Sequence, residues 1–152
     1  MIQRLIHRFS ELSPARLYQI LALRSEVFVV EQTCLYQDLD FKDQDALHVI
    51  GLDEDTLVSY ARILPPGTIY PEFAIGRVIV AKSHRGTGEG HHLMNFCMES
   101  IETISGKSAI RISAQAHLEH FYQTHAFLST GKSYLEDGIP HLEMIYNPKL
   151  AL

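Results

Sequence analysis

The chain has 152 residues, 46% of them hydrophobic and 20% charged, with a net charge of −5 and no basic run. This is the size of one domain, 1–152, long enough to bury roughly two thirds of its unfolded surface without a metal or a disulfide. The acidic balance argues against nucleic acid as a partner, because phosphate neutralisation needs clustered Lys and Arg; an anionic small ligand held on backbone amides stays compatible with it. The two cysteines, Cys34 and Cys97, are far apart and form no Cys-x-x-Cys pair. They read as reduced structural thiols, and no zinc pattern is present. No stretch approaches the ~20 apolar residues that span a bilayer. Met1 to Leu5 lacks the apolar core of a secretion signal, so no membrane association and a cytoplasmic location are expected.

After a first strand, Ser13-Pro14 marks a helix start, with Ser13 as N-cap and Pro14 in the first helical position. Leu17, Ile20, Leu21, Arg24, Val27 and Phe28 recur at helical spacing, and the helix is expected to reach about Val30. The acidic, aromatic segment 31–45 has no clear period. His48–Leu52 and Leu57–Leu64 read as paired strands around Asp53-Glu54-Asp55, and Pro65-Pro66-Gly67 breaks the chain. Ala74–Val80 reads as a buried strand. Leu93, Cys97, Ile101 and Ile104 mark one face of a helix that Gly90 precedes and Ser105-Gly106 ends. A short strand is expected at Ala109–Ser113 and a helix at Ala116–His125. Phe127–Tyr134 and Leu142–Tyr146 complete the set as an antiparallel pair joined through Glu136–Pro140. Hairpins mixed with a strand-helix-strand crossover imply an α/β (mixed α+β) domain, with one mixed sheet and helices on both faces.

The most informative segment is Val78 to Gly90. A buried strand enters a loop with Gly86, Gly88 and Gly90, and a helix follows at once. Glycine lets backbone amides approach one anion, and the helix dipole adds a positive end. The Gly-Lys-Ser/Thr of a Walker loop is missing, and Gly-x-Gly-x-Gly is not the Rossmann spacing. Taken alone, the three glycines fit a simple turn about as well as a pyrophosphate cradle; the flanking strand and helix favour the cradle.

Arg85-x-x-Gly88-x-Gly90 after an apolar strand resembles the coenzyme A motif of the GNAT superfamily. Phe121-Tyr122 ahead of Ala126-Phe127 resembles its later Phe-Tyr-x-x-x-Gly-Phe motif, with Ala126 in place of the glycine. Arg24-x-x-Val27-Phe28-Val29-Val30-Glu31-Gln32, then Tyr36, Asp38, Asp40, Asp45 and His48, is similar to the ElaA-like branch, as is Asp137-Gly138-Ile139-Pro140-His141. The likeness covers residues 5 to 146. It implies a GNAT fold: a twisted, mostly antiparallel sheet with a V-shaped split between two parallel strands, here 74–80 and 109–113. It also implies acetyl-CoA as cosubstrate on Arg85, Gly86, Thr87, Gly88 and Gly90. The pantetheine arm would pair with backbone at Val78 and Val80 and touch Gln115.

Acyl transfer from a thioester to an amine needs a base for the amine, charge stabilisation and a proton for the thiolate. The resemblance implies Tyr122 as the acid; a phenol with pKa about 10 is still protonated when a thiolate near ~8.5 departs. Glu31, Glu72, His48 and His141 are candidate bases, Glu31 and His141 foremost. Glu31 is either a buried pocket carboxylate or a solvated helix end, and His141 either faces the site or caps a hairpin. The adjacent His91 and His92 point about 100° apart on a helix and make a poor joint metal site. The expected activity is therefore metal-free N-acyl transfer to a primary amine, on a small molecule or a peptide. Acidic residues between Glu31 and Asp45 either attract a cationic acceptor or solubilise the surface. A homodimer is an open arrangement. The alternatives are an acyl-homoserine-lactone synthase, although this chain has no tryptophan, and a non-catalytic acyl-CoA sensor.

Overall fold

The computed structural model describes residues 1–150. Seven strands form one sheet: β1 (Ile2–Arg8), β2 (Leu47–Asp53), β3 (Thr56–Leu64), β4 (Phe73–Val80), β5 (Ile110–Gln115), β6 (Leu128–Glu136) and β7 (Ile139–Tyr146), in spatial order β1-β2-β3-β4-β5-β7-β6. Every neighbouring pair is antiparallel except β4 and β5, which run parallel. The expected mixed sheet is therefore present. β4 and β5 share only the register pairs Phe73–Ile110 and Ala74–Arg111. Beyond them the strands have no register partners in each other, which opens a split in mid-sheet.

Helix α1 (Pro14–Arg24) starts as its sequence requires: the Ser13 Oγ accepts from the Arg16 amide at 3.1 Å, and Pro14 occupies the first turn. Its continuation, Ser25–Glu31, is π-helical. The helical reach to Val30 is thus present, but not as α-helix throughout. Helix α2 (Glu89–Ser105) buries Leu93, Met94, Cys97 and Ile101, and closes on Gly106 at φ 72°. Ile104, expected on that face, is 56% exposed. It lies in the last turn, three residues beyond Ile101, the last residue of this face to be buried.

Strand alternation places α1 and α2 on opposite faces. Ile50, Leu52 and Tyr60 pack with Ile20, Leu23 and Val27 of α1; Val49, Ala61 and Ile63 pack with Leu93, Met94 and Cys97 of α2. This alternation is the period-two rule of a strand buried on both sides. Gly51 has a specific reason to be glycine: a Cβ there would collide with the Ser59 Oγ. That hydroxyl donates to the Glu89 Oε2 at 2.7 Å, and Arg4 of β1 donates to the same carboxylate. The first residue of α2 is thereby tied to β1 and β3.

The expected helix 116–125 is shorter and mixed: a 3₁₀ turn at Ala116–Leu118 leads into α3 (Glu119–Gln123). Ala126 follows at φ 66°, a left-handed conformation that favours glycine. The last hairpin is longer than expected. β6 and β7 meet at Asp137-Gly138, with φ of 50° and 77°, the two positive values that a tight type I′ turn demands.

Candidate active site

The split between β4 and β5 opens into a cavity of about 720 Å³ bounded by the π-helical turn, the glycine loop, α3 and the β6–β7 hairpin. Val78, Val80, Arg85, Gly90, Gln115, Tyr122, Glu31 and His141 all line it. Residues brought together from four separate parts of the chain therefore face one space. Gly86, Thr87 and Gly88 form its exposed rim, continuous in sequence with Arg85 and Gly90.

At the loop, Gly86 and Gly88 hold φ of 77° and 86° with nothing within 4 Å of a would-be Cβ at Gly86. The amides of Gly86, Thr87, Gly88, Glu89 and Gly90 have no hydrogen-bond acceptor among the described residues; the first helical bond is His92 N–H to Gly88 O at 3.2 Å. Unpaired amides at a helix start, approached over bare glycine, can hold an anion. These residues fit a pyrophosphate. The Thr87 hydroxyl, by contrast, donates to the His84 carbonyl at 2.6 Å and shapes the loop from within. His84 is itself anchored on the Asp53 carboxylate at 2.8 Å.

Arg85 turns toward the split. Its Nε donates to the Val80 carbonyl at 2.9 Å and its Nη2 lies 2.9 Å from Glu31. Glu31 is thus a cavity-lining carboxylate in an ion pair, which combines parts of both expectations for it. The π-helical turn brings it there: the four consecutive apolar residues Val27, Phe28, Val29 and Val30, three of them β-branched, weaken α-helical preference, and the wider turn is closed by Cys34 N–H to Val29 O at 3.1 Å.

Tyr122 is 8% exposed and stands edge-on to Phe121 and Phe127. Burial, then the neighbouring Cys97 thiol, pushes its phenol up to about 12. Cys97 is wholly buried and is itself pushed up to about 12 by desolvation. The hydroxyl of Tyr122 has no hydrogen-bond partner among the described residues and is not enclosed, so it is free to meet a ligand in the cavity.

His141 is 7% exposed and pairs in register with Gln115 across β5 and β7. Its Nδ1 donates to the Ile139 carbonyl at 2.7 Å, its Nε2 lies 3.3 Å from Glu136, and its ring stacks on Tyr134 at 14°. The other two base candidates are elsewhere. His48 is fully buried, with Nδ1 against the Tyr60 hydroxyl at 2.6 Å and Nε2 donating to the Asp43 carbonyl at 2.8 Å; burial lowers its pKa. Glu72 lies outside the cavity lining, accepts from Arg111 at 2.8 Å, and that bond lowers its pKa.

The acidic segment divides: Glu31 and Asp40 reach the cavity lining, Asp45 is exposed, and most of its carboxylates are held in internal ion pairs. Asp38, Asp40 and Asp43 are matched by Arg24, Arg62 and Arg77 at 2.7 to 3.0 Å. Its charge is spent on fixing the loop 32–45 against β3 and β4, while Asp45 stays exposed. Hydrogen bonds from Arg24 and Arg62 hold Asp43 below the ordinary carboxylate range against the cost of its burial. Arg77 holds this place from a left-handed residue, φ 51°, within an irregular stretch of β4. Sequence reading did not find Arg77, Ser113, Tyr134 or Glu136. Ser113 was accessible to it, because it shares a strand face with Gln115. His91 and His92 are exposed; the His91 Nδ1 is 3.0 Å from the His125 Nε2, beside Phe121. No cluster of three or more metal-ligating side chains occurs among the described residues.

A family model described as an acetyltransferase (GNAT) domain matches residues 11–148. The chain is 44% identical to protein ElaA of Escherichia coli over 137 residues, 89% of this chain and 90% of that protein. The crystal structure of E. coli ElaA superposes with a TM-score of 0.90, covering 97% of this chain and 100% of the other. An acyl-CoA N-acyltransferase from Pseudomonas aeruginosa superposes at 0.91 with 36% identity, over 95% and 99% of the two chains. A CoA-dependent acyl-homoserine lactone synthase superposes at 0.73 over 95% and 82%; at 17% identity the likeness is one of fold alone.

Proposed function

The chain belongs to the GNAT acetyltransferase family, and on that premise we propose that it moves an acyl group, acetyl by preference, from acyl-CoA to a primary amine by direct attack. The observation that carries this reading is the row of unpaired amides at Gly86 to Gly90 opening onto a cavity that also holds Tyr122 and His141. The acyl group arrives as a thioester. Arg85 and the loop amides hold the cosubstrate's phosphates, and the backbone of Val78 and Val80 with the Gln115 side chain orient its arm. Val80 first has to give up its bond to Arg85, which then becomes free for a phosphate.

Tyr122 gives its phenolic proton to the departing sulfur. A phenol near 12 is a weak acid in water, yet a thiolate desolvated in the same place is a stronger base than one in solution. Matched proton affinities are what efficient general acid catalysis needs. His141 serves as the base. With its Nδ1–H committed to the Ile139 carbonyl, the neutral ring carries its lone pair on Nε2. Glu31 is the second candidate base; in the free protein its carboxylate is paired with Arg85, and it is released if Arg85 turns to a phosphate.

The acceptor is an amine on a small molecule or a peptide. Because arginines neutralise the acidic segment, that segment supplies no net attraction for a cationic acceptor. The direct test is thiol release from acetyl-CoA over a panel of amines and peptides, beside calorimetry with CoA. Release with a primary amine is expected to survive EDTA. Tight CoA binding with no release from any amine favours a sensor, and absence of both overturns the reading.

A further inference from the structure

We propose that Gly76 determines acceptor specificity: its missing side chain keeps open a subsite, walled by Leu64, Ile69, Tyr70 and Ala74, that receives an uncharged apolar group of the acceptor amine. The inference rests on the acyltransferase reading above and names an acceptor class for it. Gly76 stands within β4 and lines the cavity. A glycine inside a strand weakens it and leaves nothing to pack, so it needs a reason. The backbone supplies none, because its φ is negative and the left-handed range that favours glycine is not in use. Packing supplies none either. A Cβ at Gly76 would have no atom within 4 Å, whereas one at Gly51 would strike the Ser59 Oγ and one at Gly90 would meet the Phe121 ring at 3.4 Å. The remaining reason is the space itself, into which a ligand comes close to the strand.

The position of that space decides what fills it. The glycine loop follows the C-terminal end of β4, so the cosubstrate enters past Val80 and reaches Val78. Gly76 lies beyond, up to about 13 Å from Val80 at the usual rise of a strand. It shares a strand face with Ala74, and register sets Ala74 opposite Leu64 and Gly76 opposite Arg62. Leu64 and Ala74 pack with Tyr70, and Ile69, next to it in the chain, is 47% exposed. All four line the same cavity as Gly76. The cavity thus has an apolar wall at the end away from the phosphates. Acetyl transfer brings only a methyl beyond the reacting carbonyl, which leaves this wall to the acceptor.

The wall is held in place by the protein itself. The Gly67 amide donates to the Tyr70 carbonyl at 2.7 Å, and the Arg111 guanidinium lies over the Tyr70 ring at 5.9 Å. Arg111 is fixed in turn by Glu72 and Glu143. The two arginines beside Gly76, one in register and one in sequence, are already matched: Arg62 by Asp40 and Asp43, Arg77 by Asp38. An apolar group therefore gains burial at this wall, whereas a charged one would lose water and meet ions that are already paired.

Gly76→Ala and Gly76→Val test the inference, since a Cβ finds room and valine suits a strand. Both variants are expected to keep the wild-type Tm or exceed it, and to keep acetyl-CoA affinity in calorimetry. With acetyl-CoA and wild-type protein, kcat/KM for 2-phenylethylamine is expected to exceed that for ethylamine by about tenfold or more, the discrimination a hydrophobic pocket gives. Gly76→Val is expected to remove most of that preference by slowing 2-phenylethylamine, with ethylamine within about twofold of wild type. Gly76→Ala is expected to fall between, and it carries the test if valine unfolds the protein. Wild-type protein without the preference overturns the inference, and so does a folded Gly76→Val that retains it. Variants that weaken acetyl-CoA or hexanoyl-CoA binding and leave the amine preference unchanged give the space to the cosubstrate, which also overturns it. Failure of the underlying reading has a different signature: wild-type protein that binds no CoA, or that releases no thiol with any amine.

Discussion

Removing one hydroxyl from Tyr122 is the smallest change that reaches the proposed chemistry. Tyr122→Phe keeps the ring packed between Phe121 and Phe127, so stability and CoA affinity are expected to hold. If the hydroxyl acts only as the thiolate leaves, kcat and kcat/KM fall together, by about 10²–10⁴-fold. Steady-state kinetics with a confirmed acceptor decides it, and a kcat within about twofold of wild type assigns the proton to water. Four residues on, Ala126 poses a backbone problem. At φ 66° its Cβ crowds the chain, and the side chain is exposed, with no packing to lose. Ala126→Gly relieves roughly 1–2 kcal/mol of left-handed strain against about 0.4–1 kcal/mol of added unfolded-state entropy. A gain of about 1 kcal/mol, or roughly 2–4 °C in Tm, is expected in a thermal scan; a lower Tm shows that the fold has already absorbed the strain.

At the scale of elements, the π-helical turn and the loop 32–45 behave as one unit held by buried charge. Arg24 is fully buried, bonds Asp38 and Asp43, and lies over the Tyr60 ring at 5.9 Å. Arg24→Ala leaves two buried carboxylates short of a cation and is expected to cost about 3–5 kcal/mol in urea unfolding. A loss under 1 kcal/mol means that Arg62 and Arg77 re-pair with both. These elements also mark where sequence reading stopped. Ser13-Pro14 and the glycine loop are legible because capping and phosphate binding use local chemistry. The β2–β3 pair and the buried face of α2 are legible because they repeat at fixed periods. The π-helical turn is not, since it differs from α by one hydrogen-bond register that packing decides. The arginine matched to each aspartate is not legible either, because Asp38 meets Arg77 across 39 positions. Of the cavity lining, Tyr122, His141 and Arg85 are picked out by motifs, whereas Glu136 and Arg77 become visible only when the hairpin and the β4 irregularity are seen in space.

For the molecule as a whole, the buried titratable groups set the pH range of stability. His48 has a lowered pKa in the fold, so the unfolded chain takes up a proton near 6.5 that the folded one refuses. Its contribution is complete above about pH 6.5 and is lost as pH falls below that value. Asp40 and Asp43 have depressed pKa values, so their contribution is present above about 4 and is lost on further acidification. A two-stage fall in urea midpoint is expected, shallow below about 6.5 and steep below about 4; a flat midpoint from pH 5 to 8 contradicts the assignment for His48. The split sheet has a consequence of another kind. Most proteins hide or blunt their strand edges, because unpaired edges recruit other chains. Here two such edges lie at the centre of the sheet, along β4 and β5 beyond Ala74 and Arg111. A cosubstrate lying along β4 would act as their stopper. During storage or heating without CoA the protein is then expected to scatter light and precipitate sooner than with it, even at temperatures where both forms stay folded. Equal clouding rates with and without CoA would show that the gap is too narrow to admit another chain. If the rates differ, the shelf life of the purified protein depends on its cosubstrate.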